Sequence, residues 1–176
     1  MIMGTRTIII TGFMGAGKTT VAVVLSQKLL CSMIDLDRFI TDREGRTPQA
    51  IIDEDGEQRF RELESEALRA ALEKEGAPVI ALGGGTWTLA RNRSLINEQG
   101  CFTVWLDTPF KLCWERIVCE SNSRPLARNI DEARRLYDER RRFYDQAMLC
   151  LEVGEGKSAD MVAAEIVDAL LASNSL

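Results

Sequence analysis

The run Gly12-Phe13-Met14-Gly15-Ala16-Gly17-Lys18-Thr19 constrains what this chain can fold into more than any other stretch. It has the G-x-x-x-x-G-K-[ST] spacing of a phosphate-binding loop. It follows Thr7-Ile8-Ile9-Ile10-Thr11, a short apolar run with the character of a buried strand, and it opens a helical pattern over Lys18–Leu30. Glycines let the backbone curl until successive N–H groups converge on phosphate oxygens, and the helix N-terminus adds a favourable dipole. Lys18 would place a point charge at the β- and γ-phosphates, and the Thr19 hydroxyl would join a Mg²⁺ shell. The competing reading is a glycine-rich left-handed turn before an ordinary helix. The strand–loop–helix context favours nucleotide binding.

Four further apolar runs have strand character: Ser32–Asp35, Pro78–Leu82, Phe102–Leu106 and Met148–Val153. Helical patterns lie between and after them at Gly56–Glu75, Pro109–Cys119, Asp131–Ala147 and Ala159–Ala172. This alternation predicts an α/β fold, a parallel sheet covered by helices on both faces. At 176 residues and 45% hydrophobic content the chain is one domain's worth of core. Two regions interrupt the alternation. Leu36–Phe60 is rich in charge and turn residues, and Glu120–Asn129 is polar, contains Pro125 and reads as a mobile exposed loop. In a nucleotide-dependent enzyme these are the natural places for a substrate pocket and a lid.

The formal net charge of −5 argues against a general nucleic-acid binder, although seven arginines between Arg124 and Arg142 leave room for a local anion site. Five cysteines without C-x-x-C spacing read as reduced thiols, and the absence of histidine removes His-containing zinc sites and His-based triads. No apolar run approaches membrane-spanning length and the first strand begins within a few residues of Met1, so a cytoplasmic protein is expected, with no membrane and no nucleic-acid partner.

Several downstream segments carry chemistry. Asp35-Leu36-Asp37 closes the second strand; two residues apart on one strand, both carboxylates would face the ligand crevice, or Asp35 would simply cap the next helix. Arg61 and Glu64 are an i, i+3 pair, either a guanidinium oriented for a substrate carboxylate or an exposed ion pair. Gly83-Gly84-Gly85 after the third strand permits close approach to a ligand, or forms a plain tight turn. Arg124-Pro125-Leu126 places an arginine on the lid, within reach of a transferred phosphoryl group, and Arg140-Arg141-Arg142 is either part of a site or a solvated helix face. There is no N-K-x-D segment of the kind that reads guanine.

Taken in order, the phosphate loop, the D-x-D, the G-E-x-x-F-R-x-x-E segment from Gly56 to Glu64, the triple glycine, the R-P-L and the R-x-x-x-Y from Arg140 to Tyr144 resemble the shikimate kinase family. The resemblance runs from Ile8 to about Tyr144. It implies a P-loop kinase fold with a five-stranded parallel sheet of order 2-3-1-4-5, a single domain over 1–176, a substrate-binding insertion at about 36–65 and a lid at about 115–129. It implies phosphorylation of the 3-hydroxyl of shikimate by ATP with Mg²⁺, and a monomer. Carried over by position, Gly15, Ala16, Gly17, Lys18, Thr19 and Thr20 would wrap the ATP phosphates. Thr19 would ligate Mg²⁺ with Asp35 in its outer shell. Asp37 would bind the reacting hydroxyl and act as base, Arg61 and Arg140 would grip the shikimate carboxylate, and Gly84 would meet a ring hydroxyl. Arg124 would contact ATP from the lid, and Lys157 would stand at the adenine edge where the family usually has arginine. The lid reads Arg124-Pro125-Leu126-Ala127, where a second leucine is common, and the Arg116–Arg124 spacing is one residue off the usual one. Two rivals remain at this point: another small-molecule kinase of the gluconate kinase type, and a nucleotide-binding module without catalysis.

Overall fold

The computed structural model describes residues 6–74, 79–119 and 129–173. Its sheet has five parallel strands, β1 (Ile8–Thr11), β2 (Met33–Asp35), β3 (Val79–Ala81), β4 (Phe102–Asp107) and β5 (Leu149–Glu152), in the order β2-β3-β1-β4-β5. That is the expected order. β1 is central because its three isoleucines can be buried on both faces at once: Ile8, Ile9 and Ile10 are at most 2% exposed. Ile8 pairs with Val79 on one side and Phe102 on the other. The edge strands β2 and β5 are only partly buried, so burial on both faces is confined to the interior three.

Helices α1 (Lys18–Leu29), α4 (Glu57–Leu72), α6 (Phe110–Cys119), α7 (Ile130–Tyr144) and α8 (Ala159–Ser173) stand where helical patterns were expected. α1 and α8 pack together through Val21, Ala22 and Leu25 on one and Val162, Ala163 and Ile166 on the other. A further helix, α5 (Ala90–Glu98), buries only Asn92 and Ile96 and has little sequence signature.

The charged stretch after β2 requires a correction. It contains two short helices, α2 (Leu36–Glu44) and α3 (Pro48–Asp55). Its turn-like residues are their caps: Asp35 accepts from the Arg38 N–H at the start of α2, and Gly45 closes it at φ 66°. Thr47 caps α3 through the Ala50 N–H, Pro48 takes its first turn, and Gly56 joins α3 to α4. The strand argument for Asp35 and Asp37 fails with it: β2 ends at Asp35, and Asp37 lies in the first turn of α2.

In this strand order the chain leaves β1 towards β2 and later crosses to β4 on the other side of β1. Such a reversal opens a crevice beyond the carboxyl ends of the strands. The loops after β1, β2 and β3 all enter it.

Candidate active site

A cavity of about 800 Å³ fills that crevice. Its wall includes Gly15, Ala16, Gly17, Lys18, Thr19, Thr20, Asp35, Asp37, Arg61, Gly84, Arg140 and Lys157, every described residue to which the family resemblance assigned a site role. Arg124 lies outside the described residues, as does most of the expected lid; its first part, 115–119, is the end of α6.

The nucleotide side is built on the turn from β1 into α1. Gly17 occupies the N-cap position at φ 91°, a left-handed conformation that disfavours any side chain, and no side chain caps the helix. The first N–H groups of α1 therefore face the cavity with the dipole behind them, which suits a phosphate. The Lys18 ammonium bonds the carbonyls of Gly12 at 3.0 Å and Phe13 at 2.9 Å, which holds its charge across the mouth of the loop. Thr19 Oγ1 donates to Asp35 Oδ2, while Asp35 Oδ1 caps α2 at 3.1 Å. The capping and metal readings of Asp35 are thus compatible: one oxygen serves the helix and the other faces Thr19. No cluster of three metal-ligating side chains occurs among the described residues. One hydroxyl backed by one carboxylate suits Mg²⁺, which keeps waters and takes phosphate oxygens rather than an all-protein cage.

The opposite side is organised by the triple glycine after β3, and each glycine makes space for a different neighbour. A Cβ on Gly83 would lie 2.7 Å from Asp37 Oδ1 and 3.0 Å from Glu64 Oε1. One on Gly84 would lie 3.3 Å from the Met14 backbone nitrogen, in the phosphate loop, and 3.5 Å from Arg140 Nη1. One on Gly85 would overlap the Arg61 guanidinium. The plain-turn reading is therefore too weak, because side chains from α2, α4 and α7 converge on one bare stretch of backbone.

The ambiguous ion pair is also resolved. Glu64 is 1% exposed; it accepts from Arg61 Nη1 at 2.5 Å and from Thr86 Oγ1 at 2.7 Å. Burial pulls the Arg61 guanidinium down, but Glu64 and Glu57 outweigh it, so Arg61 is held above the ordinary arginine range and stays charged. The three consecutive arginines of α7 have three fates. Arg140 is 7% exposed and faces the cavity, Arg141 makes a two-pronged pair with Asp107, and Arg142 is exposed beside Phe143. Only Arg142 fits the solvated-face reading.

Residues without an assigned role in the sequence also shape the site. Tyr144, one turn beyond Arg140, is buried; its hydroxyl donates to the Gly84 carbonyl and bonds the Arg140 guanidinium. Burial raises its pKa to about 12 against the opposing pull of Arg140. The i, i+4 spacing of R-x-x-x-Y was the signal, since it places both side chains on one helix face. Trp87 Nε1 bonds the Phe143 carbonyl at 2.8 Å and so ties the segment after the glycines to α7. Arg116 reaches the Gly15 carbonyl at 3.0 Å from α6. Lys157 reaches the cavity edge, but its ammonium is bonded to the Glu152 carbonyl and to Glu165 at 2.8 Å.

A cleft with a phosphate loop at one end and, at the other, the buried Arg140 and the partly buried Arg61 together with the Asp37 carboxylate suits transfer of a phosphoryl group to a small anionic hydroxy compound. Known proteins agree with that geometry. Residues 14–171 match the family model described as shikimate kinase. The shikimate kinase of Persephonella marina is 34% identical over 162 residues, which is 92% of this chain and 97% of that protein. The structure of shikimate kinase from Acinetobacter baumannii in complex with shikimate superposes with a TM-score of 0.89 at 32% identity, covering 97% of this chain and 95% of the other. That of shikimate kinase from Aquifex aeolicus gives 0.79 at 33% identity, covering 96% and 98%.

Proposed function

The chain belongs to the shikimate kinase family, and on that premise we propose a role for each residue of the cavity in the reaction. The enzyme transfers the γ-phosphoryl group of ATP to the 3-hydroxyl of shikimate, giving shikimate 3-phosphate and ADP, with Mg²⁺. The observation that carries the assignment of roles is the convergence of Asp37, Arg61 and Arg140 on the triple glycine, directly across from the phosphate loop.

In this reading Arg61 and Arg140 hold the shikimate carboxylate by charge-assisted forks, with Glu64 fixing the first and Tyr144 the second. With the carboxylate anchored, the ring hydroxyl is turned towards Asp37. Asp37 accepts the hydroxyl proton as the oxygen attacks the γ-phosphorus, and the bond to the β,γ-bridging oxygen breaks. Lys18 offsets the charge that develops between the β- and γ-phosphates, and the backbone N–H groups of Gly15–Thr20 hold the phosphate oxygens. Thr19, with Asp35 behind it, would hold Mg²⁺, which would supply charge neutralisation at the phosphates. Arg124 is assigned as the lid cation and Lys157 as the adenine-edge residue from their positions in the family pattern. In this reading the enzyme acts as a monomer, as the family pattern implies, and its five free cysteines suit the reducing cytoplasm.

Asp37→Asn tests the central role. The amide keeps the shape and a hydrogen bond to the hydroxyl but cannot take its proton. We expect kcat to fall by about 10²–10⁴-fold, the usual worth of a positioned general base, with shikimate KM changed far less. A coupled ADP-release assay reads both, and near wild-type kcat would remove Asp37 from the chemistry.

A further inference from the structure

The phosphate loop is held from behind by a buried polar residue to which the reaction assigns nothing. Thr108 follows β4 and is 1% exposed. Its hydroxyl donates to the Ala16 carbonyl at 3.1 Å. Its own carbonyl accepts from Tyr137 Oη at 3.0 Å and from Cys113 Sγ at 3.6 Å. Tyr137 in turn accepts from Arg141 at 2.8 Å, and Arg141 is clamped to Asp107, the neighbour of Thr108. Tyr137 also meets Phe13 of the loop edge-on, with ring centroids 5.2 Å apart.

The consequence follows from peptide geometry. The described chain has no cis peptide bond, so the Ala16 carbonyl and the Gly17 N–H lie in one plane and point in opposite directions. Drawing the carbonyl inward onto Thr108 turns the Gly17 N–H outward, on the side of the cavity that Gly17 lines. Glycine at φ 91° would otherwise rotate this peptide at little cost.

We propose that Thr108 is a positioning residue for ATP: by tethering the Ala16 carbonyl it aims the Gly17 N–H at the nucleotide phosphates, with Tyr137 holding Thr108 in register. The tether acts on the nucleotide and not on shikimate, because the Thr108 hydroxyl bonds the phosphate loop itself, whereas Arg61 and Asp37 stand on α4 and α2 and Arg140 lies one turn beyond Tyr137 on α7. The proposal rests on the loop being the site of the ATP phosphates.

The test compares Thr108→Val, which keeps the shape and loses the hydroxyl, with Thr108→Ser, which keeps the hydroxyl. Calorimetry gives the dissociation constants of MgATP and of shikimate for each enzyme separately. Loss of one buried hydrogen bond predicts MgATP binding about three- to tenfold weaker in Thr108→Val, shikimate binding within twofold of wild type, and recovery in Thr108→Ser. Unchanged MgATP affinity in Thr108→Val, equal weakening towards both ligands, or a serine variant as weak as the valine one overturns the tether. Should the valine variant not fold, Tyr137→Phe decides instead: a smaller loss confined to MgATP supports the proposal, and any other pattern overturns it. A wild-type enzyme that fails to bind MgATP overturns the loop assignment itself along with the tether, whereas wild-type binding with insensitive variants removes the tether alone.

Discussion

Leu30 is one residue whose backbone contradicts its side chain. It closes α1 in a left-handed conformation, φ 51°, and is 94% exposed, so its side chain gains nothing from burial. Helices commonly end this way, but with glycine, which has no Cβ to collide with its own carbonyl. Leu30→Gly should raise the stability to urea unfolding by about 0.5–1 kcal/mol, roughly half of the left-handed penalty being offset by the greater freedom of glycine in the unfolded chain. The kcat should not change. A lower unfolding midpoint would mean that Leu30 contributes packing its exposure hides. The arginine run of α7 teaches the same lesson in reverse. Three identical neighbours in sequence end in a substrate cavity, a carboxylate clamp and solvent. Nothing in the triplet separates them; the partners that do, Tyr144 and Asp107, are supplied by the fold.

Among the elements, strands were the most readable, because an interior strand of a parallel sheet must be apolar on both faces and the isoleucine run of β1 is little else. The short helices were not. In α2 and α3 the residues that punctuate the helix ends, Asp35, Gly45, Thr47, Pro48 and Gly56, form a large share of so few residues that the segment reads as turn. The same error put Asp37 on a strand, and its expected place in the cavity holds only because the first turn of α2 delivers it there. At this scale the two arginines of the substrate side also become a single device. Arg61 comes from α4 and Arg140 from α7, and both are assigned to one carboxylate. Arg61→Ala and Arg140→Ala should each weaken shikimate binding by roughly 10-fold or more, since one charge-assisted hydrogen bond is worth about 1.5–3 kcal/mol, with little effect on MgATP. The double variant should lose less than the sum, because the second fork has less left to hold once the first is gone. Full additivity, read by calorimetry, would place the two arginines on separate parts of the ligand.

For the whole molecule, the sheet order and the location of the crevice were legible once the motifs were put in sequence, whereas the hydrogen bonds behind the loop were not, because Thr108 and Tyr137 belong to no motif. Tyr144 links the site to global stability. Its phenol titrates near 10 in an unfolded chain and about 12 in the folded one, chiefly because burial disfavours the phenolate. The folded state therefore holds this proton more tightly, and its contribution is complete below about pH 10 and lost as pH rises towards 12. The difference corresponds to about 2–3 kcal/mol. Urea midpoints measured from pH 8 to 11.5 should fall along this leg in the wild type and fall less steeply in Tyr144→Phe. Parallel curves would show that the phenol does not carry the alkaline transition.

The identity of the acceptor is the sharpest question about the molecule as a whole, since a phosphate loop serves many substrates and the selection of one is assigned here to the Asp37–Arg61–Arg140 side. ADP release measured with MgATP and shikimate, gluconate or no acceptor decides it. ADP should appear with shikimate alone, matched mole for mole by shikimate 3-phosphate in the phosphorus spectrum. Release of ADP at the same rate with gluconate, or with no acceptor present, would contradict it.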